Sequence, residues 1–296
     1  MELLVTGGNG YLGGRIVEYL TQKGYSVRVG GRDIFTDRKS LESACTGIEA
    51  IVHLAMMNAK DCEKDPEAAL LVNGLNSLRL ISAAEHMGVS KVLYFSTAHV
   101  YRSPLVGKLS EEDLPCPTHP YSITHRLVED YVLEANARGK LSGIVFRLTN
   151  AVGSPVNQNA NCWMLVANDL CKQVIVDKKM KLRSTETLRR DYLPISTVTN
   201  AIYYALQGNM LVAGIFNLSS GRAMSLRELT NLIADRAENI LGFRPDVEFE
   251  NEGIAESAEQ LEISNGKLIS SGFKEKSNIL DEIDQLLLNC DSWFGS

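Results

Sequence analysis

The sequence predicts an α/β fold: a parallel β-sheet with helices on both faces, joined to a smaller mixed α/β C-terminal lobe. Two observations predict it. Short apolar runs alternate with segments of helical period along the first half of the chain, the pattern of strands buried inside a parallel sheet. The first run leads straight into a glycine-rich turn and a helix, Leu3-Leu4-Val5-Thr6-Gly7-Gly8-Asn9-Gly10-Tyr11-Leu12-Gly13.

The elements follow in order. The first strand, around Leu3–Val5, opens a helix with Ile16, Val17 and Leu20 on its apolar side. Ser26–Val29 is the second strand. Asp37–Thr46 reads as a helix with Leu41 and Ala44 apolar, and Ile48–Ala55 as the next buried strand. A usual Rossmann half places another strand and helix between these two strands. Here the chain is too short for it, so that strand is expected to be missing or rudimentary. Ala68–Met87 has helical spacing through Leu71, Leu75, Leu78, Ile81 and Ala84, and Lys91–Ser96 is a strand. Thr118 is a candidate N-cap, with Pro120 in the first turn of a helix running from Tyr121 to about Asn136. Leu141–Arg147 is a further strand. After Asn150 the pattern loosens. It returns as a strand end and helix over Leu193–Leu206 and a short strand at Ile215–Leu218. A helix capped by Ser225 then covers Leu226–Ile240, before a strand at Val247–Phe249. The expected organisation is a Rossmann-like domain, 1–152 and 189–218, and a smaller substrate lobe, 153–188 and 219–296.

Composition bounds the function. The 296 residues are 45% hydrophobic and 22% charged, values of a soluble globular protein. A net charge of −6 argues against a nucleic-acid surface. No apolar run reaches membrane-spanning length. A first strand that starts at the N-terminus leaves no room for a signal peptide. The six cysteines lack metal-ligand spacing and read as reduced thiols, so a cytoplasmic enzyme without a bound metal is expected.

The glycine turn is a dinucleotide-phosphate site. Gly7 permits the tight turn, Gly10 leaves room for the pyrophosphate, and Gly13 lets helix and strand pack closely. The helix N-terminus offers N–H groups and a partial positive charge. Chemistry is expected at the strand ends. Thr97 ends the Lys91–Ser96 run. Tyr121 and His125 are four apart, on one helix face. A phenol whose pKa falls toward working pH can exchange a proton with a sugar hydroxyl while hydride moves to or from nicotinamide. A threonine hydroxyl can hold the same oxygen.

Together these residues resemble the extended short-chain dehydrogenases/reductases, the group of NAD-dependent epimerases and dehydratases of nucleotide sugars. Thr6–Gly13 is similar to the family's TGxxGxxG, and Asp33-Ile34 to its aspartate–apolar pair beside the adenine. His53-Leu54-Ala55 resembles its HLA strand end, and Ser96–Tyr101 its SSxxVYG, which puts the active-site hydroxyl at Thr97. Arg147–Asn150 resembles the strand end whose asparagine faces the substrate diphosphate. Arg190-Asp191-Tyr192 resembles the segment whose arginine contacts nucleotide phosphate. The resemblance implies a nucleotide-sugar epimerase or keto-sugar reductase, acting as a homodimer. It implies cofactor contacts from Gly7, Gly10, Tyr11, Leu12, Gly13, Arg32, Asp33, Ile34, Leu54, Ala55, Tyr121 and His125. Substrate contacts would come from Thr97, His99, Asn150 and Arg190.

The departures narrow this. The family's Tyr-x-x-x-Lys is Tyr121–His125, and the lysine that binds nicotinamide ribose and lowers the tyrosine pKa is replaced. An unperturbed histidine is charged only below about pH 6.5. Either His125 serves in the lysine's place or the chain is a weak or silent NAD(P)-binding module. Ala98 stands where 4,6-dehydratases carry an acid, which excludes dehydration; His99 is either a proton donor or a pocket wall. Arg102 is either a substrate contact or a solvated loop residue. The acidic segment Glu250–Glu262 has no arginine for a second side of the diphosphate, which keeps open a reductase of a smaller carbonyl compound. Gly31-Arg32 at the second strand's end points to NADP, while Asp33 keeps NAD open.

Overall fold

The computed structural model describes residues 1–207, 211–250 and 260–295. Its centre is a six-stranded, wholly parallel sheet. From one edge the strands are Gly214–Leu218, Ser142–Leu148, Lys91–Thr97, Ala50–His53, Glu2–Thr6 and Ser26–Gly30. Alternate residues of each strand feed two different cores. Leu3, Val5, Val52, Leu93 and Phe146 pack with Ile16 and Leu20 of the Tyr11–Gln22 helix and with Val198 and Ile202 of the Ile195–Leu206 helix. Leu4, Ile51, Val92, Tyr94 and Val145 pack on the opposite face, against Leu41, Leu80, Val128 and Val132. This period of two, buried on both faces, is why the strands read as continuous apolar runs.

Residues 31–49 hold a 3₁₀ turn, Arg32–Phe35, and the Arg38–Cys45 helix, with no strand. The sheet therefore ends at Ser26–Gly30, as the short spacing predicts. Asp37 caps the helix by accepting the Ser40 N–H at 2.8 Å. Strand Arg189–Pro194 lies outside the main sheet, between Asn150–Val152 and Ala223–Ser225 in a three-stranded sheet. A separate core joins Val152, Leu170, Val174 and Tyr192 to Leu229 and Ile233 of the Leu226–Leu241 helix and to Ile283 and Leu286 of the Ile279–Phe294 helix. Ser225 and Glu228 form the reciprocal cap expected for the Leu226–Leu241 helix.

Two local expectations are corrected. The N-cap of the Pro120–Ala137 helix is His119, not Thr118: its ring accepts the Tyr121 N–H at 3.2 Å. The predicted Ala68–Met87 helix is interrupted by a π-helical turn at Leu70–Leu75, with the Asn76–His86 helix after it. The turn changes the buried face. Leu71 and Leu75 of the predicted apolar stripe are exposed, while Asn73 and Ser77 are fully buried. Such turns are over-represented at functional sites.

Candidate active site

The glycine turn is tightly folded. Gly7 has φ +71°, and a Cβ there would meet the backbone of Leu54 and Ala55 at 3.0 Å. A Cβ on Gly13 would lie 2.1 Å from the Gly7 carbonyl oxygen, so neither position accepts a side chain. A Cβ on Gly10 meets only the Gly7 oxygen, at 3.2 Å. Gly10 is the N-cap of the Tyr11–Gln22 helix, and no side chain caps that end. The helix N–H groups and this open edge suit a pyrophosphate. The Leu54 and Ala55 N–H groups both reach the Thr6 hydroxyl at 3.3 Å, which ties the next strand end to the turn. Leu12 packs on the core below, and the Tyr11 hydroxyl donates to the Gly153 carbonyl at 2.9 Å, fastening the helix to the following lobe.

At the second strand's end Ile34 folds back over Gly30, where a Cβ would meet its Cδ1 at 2.8 Å. Arg32 and Asp33 are exposed, and Arg32 has no carboxylate partner among the described residues.

Thr97 ends its strand buried, with its Oγ1 accepting the His99 N–H at 3.2 Å. Tyr121 stands in the first turn of its helix. Burial pushes its phenol up to about 12, while the neighbouring Thr97 hydroxyl works in the opposite direction. The Tyr121 and His125 rings meet edge-on with centroids 4.4 Å apart. The structure thus brings together Thr97, Tyr121 and His125. His125 does not supply a cation there: burial, with His53 close by, pushes it down to about 3. The ring is neutral at physiological pH, below the range expected for an unperturbed histidine.

Beneath the site lie polar residues whose role sequence reasoning missed. His125 Nδ1 is 2.7 Å from the Tyr94 hydroxyl, and Tyr94 stacks in turn near His53, with ring centroids 5.7 Å apart. His53 Nδ1 is 2.7 Å from Thr6 Oγ1 and its Nε2 is 2.8 Å from Ser77 Oγ. Ser77 donates its own proton to the Asn73 carbonyl, so it accepts from His53. Asn73 accepts the Met57 N–H at 2.7 Å and donates to Thr124 Oγ1 at 3.1 Å, joining the π-helical turn to the Tyr121 helix. Glu129, one turn beyond His125, accepts from Ser96, from Arg147 by two nitrogens, and from Arg126. The Arg147–Glu129 pair is almost wholly buried and clamps the Tyr121 helix to the two central strands. The signal was available as polar residues placed among apolar ones, but only packing shows which are paired.

The candidate substrate residues lie beside this group. His99 is half-buried, with Nδ1 3.2 Å from Ser103 Oγ. Its pKa is lowered by burial and by the nearby Arg190 and His119. Asn150 donates to the Asp191 carbonyl at 2.9 Å, and Asp191 accepts from Thr149 and Ser220. Arg190 has no carboxylate partner among the described residues. Residues 251–259 of the acidic segment lie outside the described residues.

A parallel sheet whose strand ends carry a glycine turn, a threonine and a tyrosine–histidine helix defines the dinucleotide-binding α/β class. The profile of the NAD-dependent epimerase/dehydratase family matches residues 3–219, and the chain belongs to that family. It is 26% identical over 268 residues to a UDP-glucose 4-epimerase of Rhizobium leguminosarum bv. trifolii, covering 79% of this chain and 81% of that one. It is 27% identical over 196 residues to a GDP-6-deoxy-D-mannose reductase of Pseudomonas aeruginosa, covering 64% of each. The fold matches RMD from Pseudomonas aeruginosa complexed with NADPH at a TM-score of 0.83 and 22% identity, over 98% of this chain and 97% of the other. It matches the UDP-glucose 4-epimerase of Thermus thermophilus in complex with NAD at a TM-score of 0.80 and 24% identity, over 99% of this chain and 100% of the other. No helix among the described residues is long and apolar enough to cross a membrane.

Proposed function

We propose that the chain is an NAD(P)-dependent keto-sugar reductase acting on a nucleotide sugar. The substrate would lie between the 1–152 and 189–218 unit and the 153–188 and 219–296 lobe. The observation that carries the reading is the edge-on contact of Tyr121 with a buried His125, ring centroids 4.4 Å apart, at the end of the strand that carries the buried Thr97. The residues fit a dinucleotide at both ends: an open edge at Gly10 and a buried Nε2 on His125 that has no partner among the described residues. When bound, the reduced nicotinamide supplies hydride to a carbonyl carbon. Thr97 holds the carbonyl oxygen, and Tyr121 gives its proton to that oxygen as it becomes a hydroxyl. Burial keeps Tyr121 in the protonated form that this step needs, and makes it a weaker acid than the phenol of lowered pKa that the sequence predicts. Arg32, exposed and without a carboxylate partner among the described residues, favours NADP through a 2′-phosphate contact.

An epimerase is the second reading, favoured by the UDP-glucose 4-epimerases among the relatives. The two differ in cofactor use: a reductase consumes reduced cofactor in proportion to product, whereas an epimerase retains it. Loss of NADPH absorbance with a nucleotide-4-ketosugar is the expected result. Interconversion of UDP-glucose and UDP-galactose without net cofactor consumption would select the epimerase. Cofactor binding without either reaction would select the silent module. Exposed Leu70, Leu71 and Leu75 adjoin the helix bearing exposed Ile123, and this apolar face supports a homodimer. A monomer in sedimentation at micromolar concentration would remove it.

A further inference from the structure

His125 is held from one side only. Its Nδ1 faces the Tyr94 hydroxyl at 2.7 Å, while its Nε2 is buried with no protein partner among the described residues. The direction of the Tyr94 bond decides which nitrogen carries the proton. Tyr94 has one proton to place and is completely buried. The nearby Glu129 carboxylate is already taken: Oε1 accepts from Ser96 and Arg147, and Oε2 from Arg147 and Arg126. Nδ1 is the acceptor within reach. Were Nδ1 protonated, the Tyr94 proton would be buried without an acceptor, at a cost of about 1–3 kcal/mol. A neutral imidazole that accepts at Nδ1 donates at Nε2.

We propose that Tyr94 is a positioning residue: its hydroxyl donates to Nδ1 and fixes His125 as the Nε2–H tautomer, leaving a buried N–H for a hydroxyl oxygen of the bound dinucleotide beside Tyr121. This rests on the dinucleotide reading above for its ligand and on geometry alone for its tautomer. A neutral N–H then takes over the hydrogen bonding of the absent lysine without its charge. The column His53–Tyr94–His125–Tyr121 makes the placement rigid, with successive centroids 5.7, 5.9 and 4.4 Å apart. His53 shows what a completed site of this kind looks like, because both its nitrogens are partnered.

The test is imidazole ¹⁵N–¹H correlation spectroscopy on the full chain at neutral pH, with and without NADP or NAD. The His125 signals are assigned by their loss in His125→Gln. The expected spectrum shows a neutral Nε2–H tautomer, with the Nε2 resonance moving on dinucleotide addition and Nδ1 staying as it is. In Tyr94→Phe the tautomer should become mixed, and the dinucleotide Kd should rise about five- to tenfold, the value of one hydrogen bond. A wild-type Nδ1–H tautomer or an imidazolium would overturn the proposal, even if Tyr94→Phe does not fold. So would an unchanged tautomer in folded Tyr94→Phe. Dinucleotide that binds, by calorimetry, without moving Nε2 would overturn the ligand half. Absence of any binding to the wild type would instead reject the cofactor reading, and the free-protein spectrum would still decide the tautomer.

Discussion

Two buried histidines flank Tyr94, and they are built differently. His53, at a strand end, is closed: Thr6 and Ser77 occupy both its nitrogens. His125, on the Tyr121 helix, is open: Tyr94 occupies one nitrogen and the other has no protein partner among the described residues. Both are neutral, pushed down to about 4 and about 3 by burial. Burial and charge therefore do not separate the two rings. The count of satisfied hydrogen bonds does. A closed ring holds two strand ends and a helix together. An open ring leaves a buried nitrogen unsatisfied, at a cost in stability, beside the tyrosine proposed to move the proton.

The strongest test of this contrast lies next to the open ring. Tyr121→Phe should lower turnover by about 10²–10⁴-fold, the usual worth of a positioned acid. Dinucleotide affinity should be nearly unchanged by calorimetry. Retained turnover would remove the catalytic meaning of the open site.

The next contrast is in stability. His53→Leu leaves the Thr6 proton without its acceptor and removes the ring's bond to Ser77, whose own proton stays on the Asn73 carbonyl; it should cost about 1–3 kcal/mol in denaturant unfolding. His125→Leu strands only the Tyr94 hydroxyl while removing an unsatisfied nitrogen. It should cost about 1 kcal/mol or less. Equal losses would erase the distinction.

Acid sharpens what the two rings share. Each has a folded pKa below the unfolded value near 6.5, so each contributes stability in full above that value and loses it as pH falls toward about 4 for His53 and about 3 for His125. In that window the unfolded chain binds protons that the folded chain excludes. Each ring should contribute up to about 1.4 kcal/mol per pH unit to the loss. Urea midpoints measured at several pH values should show a shallower dependence in His125→Leu. An unchanged slope would mean that His125 is protonated in the folded protein.

The smallest expected effect lies at the far end of the dinucleotide. Arg32→Ala should weaken NADP about tenfold and NAD little, as expected for one exposed charge-assisted contact. Equal losses would show that Arg32 does not read the 2′ position.

Much of this was legible in the chain itself. Strand–glycine–helix at Leu3–Ile16 fixes a parallel sheet and a phosphate turn because backbone dihedrals and close packing admit only glycine at Gly7 and Gly13. The short link from Val29 to Ile48 fixes the sheet edge because a crossover strand needs more residues than it holds. The four-residue spacing of Tyr121 and His125 fixes their shared face, because the helix repeat is local.

What tertiary structure alone decided is how the buried polar atoms pair. The π-helical turn at Leu70–Leu75 turns Asn73 and Ser77 inward and Leu71 outward, contrary to the apolar spacing of the sequence. His119 takes the cap that Thr118 was expected to hold. Tyr94, in a run that reads as a plain core strand, proves to be the hydrogen-bond partner of His125. Periodicity records which face of an element is apolar, and it is local. Hydrogen-bond satisfaction and desolvation depend on atoms brought together from distant parts of the chain, so the charge and tautomer of His125 exist only once Ala50–His53, Lys91–Thr97 and Pro120–Ala137 are packed side by side.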